Sequence, residues 1–546
     1  MEFSRHVRWS TRRCSAGTCK RLGAEDRTRG ASYVTAPSAV KAGASVLTAA
    51  YLAAAAGTFS QASFEFMMVP LQSELGLSVD EITGLTLIPS AASLTAVFLV
   101  GSLGDRIGAR RMLIIAAAIF AVGAVLVSLS SSWSTVIVGR AVGGVGGIAL
   151  AVTGLAVLAR STEDEHIRSR LFGYFAAVVP ASFLCASLLA STISTRVSWR
   201  LVPLAWVVIA AVVVYAARRI RLPRTPGGVL GEPWTPLLAG AALAGVGLGA
   251  ALLAGSPFAA MVAMLVALAC AVGALVLHRR LRRSGLDLRL LRSPGALLLC
   301  AAVVLATLTN LFFFTNLFLQ YRFPTEVVGL ALLLGVPQVL AIIGGILGGR
   351  MSERIGPLRA AAITLGGAAV LSSAFLLVDA DSPIWIPVAI LSIFALPAAG
   401  MVGPLTQSLM QRAPADGSSA ASSIKSATWS LGGIVGGVGI GAIGFTAFTR
   451  DLTAQLQESG LNLPSAQHVA EQIRSGAFVL ELAQQLNVTS APSALLLSGS
   501  AEGLHAAQVV ALHTVAIAGV VTFGLASWLV VVAHRRIAVA AVRTNK

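Results

Sequence analysis

The sequence predicts an all-α polytopic membrane protein, and three observations carry that prediction. Hydrophobic residues fill 56% of the 546 positions and charged residues 12%, with a mean hydropathy of +0.82. That leaves too little polar surface to coat a water-soluble particle of this size. The apolar residues fall in runs near the roughly 20 that a helix needs to cross a bilayer. A glycine- and charge-rich turn, GSLGDRIGARRML from Gly101 to Leu113, separates two such runs and returns as GRMSERIG from Gly349 to Gly356. Both copies set a glycine, an acid (Asp105, then Glu353), an arginine (Arg106, then Arg354) and a closing glycine (Gly108, then Gly356) at one spacing. A repeated inter-helix turn predicts two similar halves, each carrying it between its second and third helix.

In chain order, residues 1–43 read as a disordered basic cytoplasmic tail, with nine Lys or Arg and no apolar run long enough for a signal-peptide core. Fourteen spans are then predicted, at about 44–68, 82–102, 112–130, 134–158, 171–194, 200–217, 236–254, 258–278, 296–320, 327–348, 359–378, 384–408, 422–447 and 509–533. The two turns lie 248 positions apart, more than six helices need. The surplus predicts a six-helix half over 44–217, an inserted helix pair with basic linkers over 218–295, and a second six-helix half over 296–535. That second half holds a long outer loop, 449–508, in which SAQHVAEQIRSGAFVLELAQQL has the apolar spacing of a surface helix. Residues 536–546 read as a second cytoplasmic tail.

Charge sets the orientation. With the N-terminus inside, only Arg196, Arg200, Arg322, Arg450 and Arg474 fall outside and Arg140 falls within a span, so 34 of the 40 Lys and Arg are cytoplasmic. Both termini are therefore predicted inside. The formal charge of +17 does not point to nucleic acid, because the arginines recur between apolar runs instead of gathering on one face. Cys14, Cys19, Cys185, Cys270 and Cys300 show no Cys-x-x-Cys spacing, which predicts neither disulfide nor metal site. No nucleotide-binding Gly-x-x-x-x-Gly-Lys and no hydrolytic triad pattern is visible, so the chain is predicted to be neither an enzyme nor an ATP-driven pump.

In the turn itself, Gly101 and Gly108 permit close backbone approach. Asp105 is able to accept from Arg106, from nearby basic side chains or from a helix N-terminus across the interface between halves. Arg110 and Arg111 trail it on the inner face. Within the spans, a buried ionisable group costs several kcal/mol and normally faces a partner or a wet cavity. Glu65 and Arg140 are the clear cases. Thr58, Gln61 and Glu65 make one polar stripe. Glu65 and Arg140 are each placed roughly 8–10 Å below the outer ends of their helices, a depth at which they are able to meet. Glu65 is the predicted proton carrier, with Arg140 governing when it holds its proton. In the ninth span, TNLFFFTNLFLQ sets Asn310, Phe313, Asn316 (or Leu317) and Gln320 near one face, a wall suited to amphipathic and partly aromatic ligands, or to amide bonding between helices. Pro397, Pro404 and Gln407 are expected to open backbone and amide groups to the same cavity.

These residues carry a resemblance. GSLGDRIGARR resembles the signature loop of the major facilitator superfamily, and Arg140 followed by AVGGVGG is similar to that family's arginine-plus-glycine motif. GLDLRLLRSPG at Gly285–Gly295 and APADGSSAASSIKSATWSLGGIVGGVGIG resemble the corresponding segments of its fourteen-helix drug:proton antiporters, so the likeness spans about residues 44–535. The departures lie in the fifth and first spans. Where antiporters of the family carry Gly-Pro-x-x-Gly-Gly, this chain keeps Pro180, the expected bend, but has Val179, Phe183 and Leu184. Where many relatives have an Asp before the terminal proline of the first span, it has Gln61 before Pro70. The resemblance implies a major facilitator fold whose signature turn latches the cytoplasmic side. It also implies a monomer in the plasma membrane, without cofactor, drawing on a proton gradient to export drug-like or antibiotic-like amphipathic molecules. A uniporter or importer of a small metabolite, and a non-transporting scaffold or sensor, are the alternatives the residues leave open.

Overall fold

The computed structural model describes residues 43–77, 79–162, 164–220, 232–253, 256–281, 285–309, 311–322, 327–414, 417–458, 467 and 492–544. The first six long helices are α1 (Ala44–Leu75), α2 (Val79–Ile107), α3 (Ala109–Ser128), α4 (Trp133–Ala159), α5 (Glu165–Arg196) and α6 (Val202–Arg219). Then come α7 (Trp234–Leu252), α8 (Pro257–Arg280), α9 (Ala296–Leu308), α10 (Leu311–Arg322), α11 (Val327–Ile355) and α12 (Pro357–Ser372). The last four are α13 (Trp385–Gly400), α14 (Val402–Met410), α15 (Ser418–Glu458) and α16 (Pro492–Thr544). Eleven helices among the described residues are long and apolar enough to cross a membrane. The other three expected spans fall on α1, on the α9–α10 pair and on α15, which are helical but lie outside those eleven.

Local chemistry sets the helix ends. The α1 helix runs through Pro70 and stops at Gly76, whose left-handed backbone (φ 63°) lets its N–H return to the carbonyl of Gln72. Asp164 caps α5 by accepting from the N–H groups of His166 and Ile167 at 2.8 and 3.2 Å. Both copies of the repeated turn close on one backbone conformation: Gly108 has φ 87° and ψ 142°, and Gly356 has φ 85° and ψ 152°. Only glycine adopts this region without strain, which is why each copy ends in that residue.

Buried apolar side chains form two clusters, one drawn mostly from α1–α6 and centred on Phe64, Phe120, Phe172 and Trp206, the other from α9–α16 around Phe318, Phe375, Phe394 and Phe523. In the first cluster the glycines of α4 let three neighbours come close. Gly143 and Gly146 lie against Gly123 and the Phe120 backbone of α3, Gly147 against Gly57 of α1, and Gly144 against Pro89 of α2. Buried Arg140 is thereby held at the centre of this group. The α7 helix lies on α2, where Gly240 meets the Leu94 and Thr95 carbonyls, and on Ile434 of α15 through Gly247. The α8 helix packs on α7 and turns Phe258, Leu265 and Leu268 outward.

Four expectations change. The span expected over 296–320 is two helices, broken at Thr309 (ψ 122°), whose hydroxyl shares a 2.6 Å hydrogen bond with that of Thr522 on α16. Gly432 and Gly436 of α15 pack directly on the end of α9 beside that break, so the interruption has a fitted partner. The α15 helix continues past 447 to Glu458, and α16 begins at Pro492 and ends at Thr544, so both ends of the expected loop 449–508 and most of the expected tail 536–546 are helical. The expected surface helix within that loop, apart from residue 467, lies outside the described residues, as does the 1–42 tail.

A side chain at Gly123 would drive into the α4 backbone, where no rotamer change relieves it. Gly123→Val is therefore expected to destabilise by about 2 kcal/mol, the range of a small-to-large insertion in a packed core. Gly433→Ala, with nothing within 4 Å of the added methyl, is expected to stay within about 0.5 kcal/mol. Thermal unfolding of purified protein in detergent checks both.

Candidate functional site

The polar stripe of α1 meets α4. Arg140 is 5% exposed, and its Nη2 donates to Gln61 Oε1 at 2.9 Å. Gln61 Nε2 in turn donates to Glu65 Oε1 at 3.2 Å, and the Arg140 guanidinium lies over the Phe64 ring, 3.9 Å from its centroid. Arg140 and Glu65 thus connect through Gln61, and no direct ion pair joins them among the described residues. Glu65 is exposed, whereas Gln61 and Thr58 are half-buried. Because α1 continues past Pro70 to Leu75, Glu65 lies ten residues, about 15 Å, from the helix end, deeper than the sequence suggested. One face of this unit is open and the other is a buried cation with an orphaned Nε.

The repeated turns meet partners from the other set of helices. Asp105, at the end of α2, accepts from the backbone N–H groups of Ser419 and Ala420 at 3.0 and 2.9 Å, and from Arg160 at 2.8 Å. Those two amides open α15, where peptide N–H groups lack helical partners and the helix dipole favours a negative charge. Gly101 and Gly104 make this approach possible: a methyl on either would lie 2.5 Å and 3.0 Å from the Ser423 and Ser419 hydroxyls. Glu353, the counterpart on α11, is held by Arg170 of α5 in a fork of two 2.7 Å bonds. The helices cross there where the backbones of Gly173 and Gly349 touch. Two carboxylates at equivalent places thus bind across the two sets of helices on one face. Arg110, Arg111 and Arg354 are exposed at the same level, and Arg106 sits half-buried beside Asp105.

A third element braces this face. Asp287, in the loop before α9, is held by Arg289 through bonds of 2.7–3.0 Å and lies against Gly417, just before α15. Burial pushes the Asp287 carboxyl up, but the Arg289 bonds outweigh it and hold the group below its ordinary value.

Four expected cavity residues are left undescribed, and one moves. Asn310 lies outside the described residues, and so do the side chains of Phe313, Asn316 and Gln320. Gln407 is 1% exposed, and its amide donates to Ser169 of α5 at 2.8 Å, the residue next to Arg170. It belongs to the closed face and not to the wall beside Gln61, because α14 packs on the first turns of α5. Pro180 is buried inside an unbroken α5. Phe183 stacks edge-on between Phe66 of α1 and Phe312 of α10, at 6.3 and 5.4 Å between centroids. Leu184 fits against Gly335 of α11, where a side chain would meet it at 2.9 Å.

Sequence reasoning missed Lys425. Counted there as an inner-loop charge, it lies in the second turn of α15, 9% exposed. Its ammonium stands 4.7 Å from the Trp429 ring and 5.6 Å from the Phe175 ring of α5, cation–π contacts that partly replace lost water. The polar run SSAASSIKS concealed it, since such a run reads as loop. The signal was Trp429, one helical turn on. Among the described residues, no group of three or more His, Cys, Asp or Glu is placed to hold a metal ion.

The partners of the two carboxylates differ in exposure, Arg160 being better covered than Arg170, and the substitutions should differ with it. Asp105→Ala leaves two amides and Arg160 unanswered in a close-packed setting and is expected to cost about 2 kcal/mol. Glu353→Gln, whose partner Arg170 has a 60% exposed side chain, is expected to cost clearly less, because solvent screens the pair. Chemical or thermal unfolding of the two variants checks the order, and the reverse order contradicts it.

Known proteins can now be set beside this arrangement. The profile of the Major Facilitator Superfamily matches residues 50–437. The chain is 26% identical over 416 residues to the methylenomycin A resistance protein of Bacillus subtilis, covering 72% of this chain and 86% of that one. It is 32% identical over 151 residues to the uncharacterized transporter EfpA of Mycobacterium tuberculosis, 27% of this chain and 28% of that one. The fold resembles that of the human organic anion transporter MFSD10, with a TM-score of 0.52 at 13% identity, covering 88% of this chain and 99% of that one. Transporters of this family are not enzymes; they carry small molecules across membranes without a cofactor, on the energy of an ion gradient. The match over most of the chain, with the repeated turn that latches two sets of helices, makes this multi-pass membrane protein a transporter of the major facilitator superfamily.

Proposed function

We propose that this protein is a proton-coupled exporter of amphipathic, drug-like small molecules, working by alternating access in the plasma membrane. The observation that carries the reading is the Glu65–Gln61–Arg140 chain, an open carboxylate joined through one amide to a buried cation. A proton arriving on Glu65 removes the negative charge that balances Arg140, and the loss of that balance is what the halves respond to. The relative named for methylenomycin A resistance supports export of an antibiotic-like compound.

In this reading residues 44–217 and 296–535 are the two rocking halves and 218–295 is an inserted pair, giving fourteen crossings. The face closed by Asp105 and Glu353 is cytoplasmic, together with both termini, because 34 of 40 Lys and Arg fall on that side. The cavity opens on the opposite side, toward Glu65. Its wall includes Thr58, Gln61 and the ninth-span residues Asn310, Phe313, Asn316 and Gln320. Lys425 adds a fixed positive charge between aromatic faces, which favours neutral and acidic amphiphiles over simple cations. One proton returning through about 100 mV supplies about 2.3 kcal/mol, enough to hold roughly a 50-fold gradient of a neutral substrate. The transporter acts as a monomer, each chain containing both halves of its gate.

Uncoupled transport of a small metabolite is the second reading. Phe183 and Leu184 favour it, since they stand where the resembled antiporters have glycine.

Inside-out vesicles with an imposed proton gradient and a pH-sensitive dye separate the two. Compound-specific collapse of the gradient by neutral or acidic antibiotics is expected for wild type and is expected to be lost in Glu65→Gln. Collapse in both proteins removes Glu65 as the carrier. Collapse in neither, with both proteins folded and inserted, favours uncoupled transport.

A further inference from the structure

Beside the Arg170–Glu353 fork, α5 and α11 leave a cleft of about 350 Å³ lined by Arg170, Tyr174, Ile346, Arg350, Glu353 and Arg354. Three guanidinium groups face one carboxylate, so the lining carries an excess of two positive charges. Arg170 spends its charge on Glu353. Arg350 and Arg354 are exposed, stand one turn apart on α11, and have no ion-pair partner among the described residues. Excess charge held in a cleft attracts an anion more strongly than charge spread on an open surface.

The surroundings identify the kind of anion. Toward the membrane centre, α11 continues the same side of the cleft as an exposed apolar stripe: Leu347 is 43% exposed, Ile343 45%, Val339 45% and Val336 48%. Tyr174, 47% exposed, stands at the junction with its hydroxyl available, the position that aromatic residues with a polar tip favour at the membrane interface. A basic mouth that opens onto a lipid-facing stripe matches a molecule with an anionic head and apolar tails. Basic pockets between membrane helices bind phosphate-bearing lipid headgroups in this way.

We propose that this cleft binds the phosphate headgroup of an anionic phospholipid, and that the bound lipid holds the face closed. The headgroup spans Arg350 and Arg354 on α11 and the outer edge of Arg170 on α5, while an acyl chain follows the Ile343–Leu347 stripe. Arg170 remains forked to Glu353, and the lipid supplies the second counter-charge that the three arginines lack. On the alternating-access reading proposed above, on which this inference rests, α5 and α11 belong to opposite halves, and parting them takes the cleft apart. A ligand of that cleft therefore favours the closed state. The inference concerns the membrane and needs no assumption about the transported substrate.

The test uses the full chain in nanodiscs of neutral phosphatidylcholine, with or without phosphatidylglycerol, and Arg350→Gln/Arg354→Gln, which spares the fork. Native mass spectrometry counts the phosphatidylglycerol retained, and thermal unfolding reads the closed state. Wild type is expected to retain the anionic lipid about tenfold better than the double variant, the loss of charge-assisted bonds to one phosphate, and to unfold at higher temperature only when it is present. Arg350→Lys/Arg354→Lys, which keeps both charges, is expected to retain at least part of that gain and serves if the Gln variant fails to fold. Inorganic phosphate added to neutral nanodiscs is expected to give no such stabilisation. Full stabilisation by phosphate alone would reassign the site to a soluble anion and overturn the lipid. Equal retention by wild type and the Gln variant would overturn the site itself.

Discussion

Asp105 answers the first free amides of α15 across the boundary between two sets of helices, and the proposed closure of that face depends on that bond. A helix that starts in a packed interface carries N–H groups with no partner of their own, and leaving them dry costs more than any single contact returns. One carboxylate from α2 satisfies two of them and pairs with Arg160. Glycine at 101 and 104 lets the two helices approach that closely, and Asp287, held by Arg289 in the loop before α9, lies against Gly417 just before α15. The Arg170–Glu353 fork repeats the arrangement with a weaker, wetter pair. In the proposed reading, closing one face from two equivalent points leaves the opening to the other face, where Glu65 is exposed.

Much of this is legible in sequence because it rests on backbone and charge. Gly108 and Gly356 are readable, since the turn needs a backbone that other residues resist, and the structure gives both the same φ and ψ. Arg140 is readable because an ionised group within an apolar run needs a reason. The intermediary role of Gln61 is not readable: pairing of Glu65 with Arg140 looks equally good on paper, and only side-chain reach puts the amide between them. Lys425 is hidden by the serines around it. The break between α9 and α10 is harder to read, because the short polar run Thr307–Leu308–Thr309–Asn310 sits inside a long apolar stretch, and its partners lie on other helices, Gly432 and Gly436 of α15 and Thr522 of α16. Arg160 and Arg170 looked like inner-face charge and prove to be the partners of Asp105 and Glu353.

The departure from the resembled antiporters in the fifth span has a physical account. Bulk gained on one helix, where glycine is expected, is met by glycine on the next, with Leu184 seated on Gly335 of α11. Phe183 joins Phe66 and Phe312 in an edge-to-face series that links α1, α5 and α10. Aromatic contacts of this kind contribute on the order of 1 kcal/mol each, a size that suits surfaces meant to part and meet again. Phe66 directly follows Glu65 in α1, so the aromatic contact between helices begins one residue from the carboxylate.

The central claim is that carboxylates on α2 and α11 keep one face shut. Spin labels at His166→Cys on α5 and Arg359→Cys on α12, both exposed at that face, in a background without the natural cysteines, report the separation by pulsed electron resonance. The account predicts one short distance population, with a longer one appearing when Asp105 and Glu353 are both replaced by alanine. An unchanged short distance in the doubly substituted protein would contradict it.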